Sequence, residues 1–138
     1  MSNTPLERVF VYGTLKRGFC NHDLLAKARF VDTAVTVKLY GFYADRDVYA
    51  ADEEIPIPYL FHDPAPGDAA VAVQGEIYEV SPRTLARLDV LEGHPDWYER
   101  QRLPIQRPDR AVTECWGYFI PGPAKAGMRL LSSGLFEA

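Results

Sequence analysis

The chain has 138 residues, of which 47% are apolar and 25% charged, so a single soluble domain spanning 1–138 is expected. Fifteen basic against nineteen acidic residues give a formal charge of −4, which argues against a nucleic-acid partner and its clustered basic face. No apolar run approaches the ~20 residues of a membrane span, so no membrane partner is expected.

The first residues, Met1–Pro5, lack the apolar segment of a signal peptide. Cys20 and Cys115 are too few for a disulfide framework, although their pairing with each other stays open. A cytoplasmic location with free thiols is the expectation.

Residues 8–13 read as a buried strand that stops at Gly13. Gly18 closes the loop that follows, and Asn21 offers an N-cap to a short helix over 22–28. Strand, glycine loop and helix start place backbone N–H groups where an anion can be held, though an ordinary strand-to-helix connection has the same spacing. Gly13 and Gly18 match a nucleotide-loop frame, but Phe19 and Cys20 stand where Lys and Ser/Thr are required. The expected ligand is a small carboxylate or a backbone-like group. Lys16 and Arg17 are expected to decorate this loop.

Residues 29–44 suggest one long or bent strand, and Asp45–Asp47 and Asp52–Glu54 suggest solvent-facing acidic turns. The stretch Ile55–Phe61 fits a strand only at a sheet edge, because Pro56 and Pro58 lack ladder donors. A loop over 63–68 precedes the clearest strand, Val71–Val80. A helix over 82–92 and strands over 98–106 and 111–120 follow, and the tail from Pro121 is expected to wrap the surface. This order predicts an α+β fold, a small mixed β-barrel or strongly curved sheet with a few short flanking helices.

The 82–92 helix has Ser81 as N-cap, Pro82 in its first turn and Gly93 at the C′ position. Its apolar stripe runs through Leu85 and Leu88, and helical spacing carries it to Glu92. Burial, Asp89 one turn earlier and the negative helix end would all raise the pKa of that carboxyl, poising it for proton shuttling. The alternative places Glu92 in solvent or paired with Arg87 or Arg100. The pattern leaves both open.

Other candidates carry less. Cys20 with His22 or His94 suggests a thiol nucleophile, but buried or incidental cysteine accounts for it more simply. The spacing of His22, His62 and His94 does not form a zinc motif. Glu76 reads as a surface or barrel-lining residue, and Tyr98 and Tyr118 as half-buried strand aromatics whose hydroxyls are able to contact a ligand.

The stretch VFVYGTLKRGFCNHDLL (9–25) resembles the N-terminal signature of the γ-glutamyl cyclotransferase-like family, nearest to its γ-glutamylamine branch. The likeness continues in IPYLFH (57–62), QGEIYEV (74–80), LDVLEGHPDWYER (88–100) and more weakly CWGYFI (115–120). The resemblance implies a small barrel with a cavity beneath the YGTL loop and Glu92 as catalytic acid/base. It assigns substrate binding to Tyr12, Gly13, Thr14, Leu15, Tyr98 and Tyr118, and the partner is a small γ-glutamyl substrate. The substrate's own α-amine attacks its γ-carbonyl, releasing an amine and 5-oxoproline, with no metal or cofactor. A monomer suffices for this chemistry, and the oligomeric state stays open. Two alternatives remain: a non-catalytic binding module for a small carboxylate or amino-acid metabolite, and an amide hydrolase or acyl transferase using Cys20.

Overall fold

Both faces of the first strand are covered, which is why Val9, Phe10 and Val11 are apolar in succession instead of in alternation. The computed structural model describes residues 6–13, 15–16, 22–45, 57–122, 124 and 128–136. Strand β1 (Glu7–Val11) joins β2 (Arg29–Thr36), β5 (Gln74–Val80), β6 (Glu99–Gln106) and β7 (Val112–Phe119) in a closed barrel, ordered β1-β5-β2-β6-β7. Its pairings are antiparallel except the last, where β1 meets β7 in parallel through Val9 and Trp116. A second sheet, ordered β4-β3-β8, combines β3 (Gly41–Asp45), β4 (Ile57–Phe61) and β8 (Arg129–Leu130). The expected mixed barrel is therefore present. Its helical complement among the described residues is one α-helix, α1 (Pro82–Glu92), and one 3-10 turn (His22–Leu25).

Alternation along the strands sorts the core into two clusters. Phe10, Ala34, Ile77, Leu103, Ile105 and Cys115, drawn from all five barrel strands, fill the barrel interior. The opposite face of the wall presents Val9, Val11, Tyr78, Val80 and Tyr118 to Leu85 and Leu88 of α1 and to Tyr43, Tyr59 and Phe61 of the second sheet. A backbone bond from the Ile120 N–H to the Leu60 carbonyl (2.8 Å) ties that sheet to the end of β7.

The 29–44 stretch is not one strand. It divides into β2 and β3, which lie in different sheets, and the Thr36 hydroxyl donates to the Lys38 carbonyl (2.7 Å) at the break. Residues 29–40 contain neither Gly nor Pro to announce that break in the sequence. The helix expected over 22–28 shrinks to the 3-10 turn, which is too short to carry an appreciable axial dipole. Its proposed N-cap, Asn21, lies outside the described residues, as do Arg46–Asp47 and Asp52–Glu54 of the acidic turns.

Nor does the tail simply wrap the surface. Its β8 pairs with β3, Leu131 and Phe136 are buried in the core, and the Gly134 carbonyl accepts the Gln74 N–H (2.8 Å). Lys16, expected to decorate the surface, is only 5% exposed, and its Nζ donates to the Phe136 carbonyl (2.8 Å). Strand β4, in contrast, occupies the sheet edge that Pro58 requires, and Pro56 lies outside the described residues.

Candidate active site

Helix α1 starts and stops where its capping residues dictate. The Ser81 hydroxyl accepts the Thr84 N–H (3.1 Å), and Gly93, at φ 68°, turns its own N–H back to the last carbonyls. Between these ends Leu85 and Leu88 are buried, and the same stripe delivers Glu92 to a pocket at the helix terminus. The pocket is lined by Phe10, Val11, Tyr12, Gly13, Leu15, Pro58, Glu92, Tyr98 and Tyr118, and encloses about 30 Å³. Of the two readings open for Glu92, the inward one matches this placement. Arg100 pairs with Asp89 instead, at 3.2 Å.

Hydrogen bonds fix the walls. The Tyr12 hydroxyl donates to the Tyr118 carbonyl (2.6 Å), and the Tyr98 hydroxyl to the Pro58 carbonyl (2.7 Å). The Tyr118 hydroxyl donates to Asp89 Oδ1 (2.7 Å). The loop after β1 is held from three sides. The Lys16 N–H bonds to the Gly13 carbonyl (3.0 Å), His22 Nδ1 lies 3.0 Å from the Leu15 carbonyl, and the Lys16 ammonium reaches Phe136. Gly13 is required by close approach, because a Cβ there would stand 2.5 Å from Pro58 Cγ. With the 3-10 turn too short to help, any anion site at this loop rests on its own backbone N–H groups. Thr14 lies outside the described residues.

Glu92 is half-buried: protein surrounds its carboxylate densely, and the pocket is its remaining open edge. Among the described residues nothing hydrogen-bonds or ion-pairs with its carboxylate, while its backbone carbonyl accepts the Tyr98 N–H (3.2 Å). Burial raises its pKa to about 7. The sequence pattern suggested three contributions; burial is the one that raises it here, and Asp89 is paired with Arg100. Burial also raises the pKa of Tyr12, Tyr98 and Tyr118 well beyond the phenol range, with the Glu92 charge adding to each. These three phenols stay protonated at neutral pH, so Glu92 is the pocket group that exchanges protons there.

The raised pKa has a consequence for stability. Below pH 4.5 Glu92 is protonated whether the chain is folded or not. From pH 4.5 to about 7 the unfolded chain ionises first, so stability falls as pH rises. Glu92→Gln removes this dependence. Urea unfolding should show the variant gaining about 1–3 kcal/mol on the wild type between pH 4.5 and pH 8, the range allowing for the open edge. Parallel curves across that range would mean a solvated carboxylate.

The remaining candidates lie elsewhere. Cys115 sits in the barrel interior, where burial pushes its thiol up to about 11, and Cys20 lies outside the described residues. His62 stacks on Phe119 and reaches Gln101, and no metal-ligating cluster occurs among the described residues. A broader groove of about 780 Å³ between Lys16, Gln74, Gln106 and Ser133 has Glu76 as its one lining carboxylate among the described residues, and Glu76 accepts the Tyr78 hydroxyl (3.0 Å). Sequence reasoning missed Pro58 and the Asp89–Arg100 pair as parts of the site. The edge-strand proline was the available signal for the first.

Comparison with known proteins identifies the family to which this small closed barrel, with Glu92 beneath the Gly13 loop, belongs. The family model described as gamma-glutamyl cyclotransferase, AIG2-like, matches residues 9–138, and the chain belongs to that family of cyclotransferase enzymes. It is similar to the Bos taurus protein named gamma-glutamylaminecyclotransferase, with 38% identity over 123 residues covering 85% of this chain and 67% of the bovine one. A Methanocaldococcus jannaschii protein, named provisionally a gamma-glutamylcyclotransferase, is 36% identical over 117 residues, covering 84% of this chain and 86% of its own length. The crystal structure of an AIG2-like protein from Mus musculus superposes with a TM-score of 0.73 at 30% identity, covering 96% of this chain and 88% of the mouse chain. No helix among the described residues is long and apolar enough to cross a membrane.

Proposed function

We propose that the protein converts a γ-glutamyl amide into 5-oxoproline and a free amine, with Glu92 as general acid and base. The observation that carries this reading is the Glu92 carboxyl, without a hydrogen-bond partner among the described residues and poised near pH 7 beneath the Tyr12–Leu15 loop. Glu92 takes a proton from the substrate's α-ammonium, and the freed amine attacks the γ-carbonyl to close the five-membered ring. The carbon–nitrogen bond to the leaving group then breaks. In all, the α-nitrogen loses two protons and the leaving nitrogen gains two, so the amine departs as an ammonium and Glu92 ends ionised as it began.

Little else is asked of the protein beyond holding the chain of the substrate bent. Well-oriented intramolecular attack supplies up to ~7–11 kcal/mol of the barrier. In this reading the substrate's α-carboxylate and leaving amine lie towards the mouth, where N–H groups of Gly13 and Leu15 meet the carboxylate or the oxyanion. Tyr98 and Tyr118 wall the reacting end, and Thr14 completes the binding loop.

Purified protein incubated with γ-glutamyl amines, γ-glutamyl amino acids and glutathione should release 5-oxoproline from at least one class, and we expect the amines. Saturable binding of 5-oxoproline with no turnover across that panel would overturn the reading.

A further inference from the structure

We propose that Arg100 is a positioning residue of this reaction: it holds Asp89 in an ion pair, which keeps Tyr118 in the pocket wall and leaves Glu92 as the uncommitted carboxylate at the end of α1. The inference rests on the assignment of Glu92 made above.

The geometry begins with two acids one helical turn apart. Asp89 and Glu92 are three residues apart on α1, a spacing at which helix side chains are neighbours. Asp89 is held through one carboxylate oxygen and its backbone carbonyl. Its Oδ1 accepts the Tyr118 hydroxyl at 2.7 Å and stands 3.2 Å from Arg100 Nε, while its carbonyl accepts the His94 N–H at 2.9 Å. Arg100 is in turn held in place. Its guanidinium lies 4.4 Å from the centre of the Trp116 ring, and its backbone N–H donates to His94 Nδ1 (3.0 Å).

Tyr118 joins these contacts to the substrate loop. Its hydroxyl fastens to α1 through Asp89, and its carbonyl takes the hydroxyl of Tyr12. One ion pair therefore sets the position of a pocket wall on three elements.

The same pair also sets the charge that Glu92 faces. The titratable or charged groups around it among the described residues are Asp89 on its own helix, Tyr12 after β1, Tyr98 and Arg100 at the start of β6, and Tyr118 on β7. The three tyrosines are neutral at pH 7, and Asp89 and Arg100 neutralise each other in their ion pair, so burial is left as the cause of the raised Glu92 pKa. Removing either partner leaves the other bare, one turn from the reacting carboxyl, with opposite consequences for its protonation.

The experiment is the pH dependence of kcat/KM with a γ-glutamyl amine in four variants. Arg100→Met should move the acid limb upward by about half a unit or more, because Asp89 is left uncompensated, and Asp89→Asn should move it downward, because Arg100 is left uncompensated. The double variant should return the limb to the wild-type position. Arg100→Lys, which keeps the charge but not the planar contact with Trp116, should lower kcat/KM while leaving the limb in place. The opposite sign expected for Asp89→Asn keeps the proposal testable if Arg100→Met folds poorly. Glu92→Gln separates the two levels: if it stays active, the assignment of Glu92 fails. If it is inactive and the limbs of all the other variants coincide, the role of Arg100 fails.

Discussion

Replacing Glu92 by Gln should lower kcat/KM for 5-oxoproline formation by about 10²–10⁴-fold, the usual worth of a positioned acid/base. The amide keeps the shape of the carboxyl and fills the same pocket corner, so the variant should fold, and above pH 7 it should resist urea at least as well as the wild type. The sign of the wild-type pH profile follows from the direction of proton transfer. Glu92 must be ionised to accept the α-ammonium proton, so kcat/KM should climb with unit slope and level off near pH 7. Liquid chromatography of 5-oxoproline provides the measurement. A variant retaining more than about a tenth of wild-type turnover, with an unchanged profile, would remove Glu92 from the reaction.

Phe136→Ala should destabilise the protein by about 3–5 kcal/mol, a large part of the total stability of a domain this size. The ring is fully buried in the barrel cluster. Its backbone carbonyl also accepts the buried Lys16 ammonium, so that bond is disturbed if the tail shifts. The loss should therefore reach the substrate loop, with KM rising in whatever fraction remains folded. Denaturant unfolding reads the first effect and initial-rate kinetics the second. A loss below about 1 kcal/mol would mean that the tail docks without contributing to the core.

What the sequence makes legible is what local chemistry decides. Ser81, Pro82 and Gly93 bracket α1, and the 3.6-residue stripe through Leu85 and Leu88 points at Glu92 before any coordinates are known. The Val9–Val11 run announces a strand covered on both faces, and Pro58 announces a sheet edge. Contacts between distant segments are not legible. Lys16 looks like a surface cation until the chain 120 residues later supplies its acceptor. Asp89 reads as an unpaired carboxylate until β6 brings Arg100 beside it. The break between β2 and β3 is hidden for a related reason: β-branched and aromatic residues suit either sheet, and the choice is made by the partners each half finds.

Strand β4 carries a consequence for association. An outermost strand ordinarily presents free amides and carbonyls on which a foreign chain can crystallise into fibrils. On this one Pro58 has no amide hydrogen, its oxygen is occupied by the Tyr98 phenol, and the Leu60 oxygen by the Ile120 amide. Colloidal safety and the shape of the reaction chamber are thus vested in the same atoms. A substitution that loosens Tyr98 to widen the chamber would also uncover a sticky rim, so attempts to broaden the range of accepted amines at this wall will meet aggregation as a competing outcome.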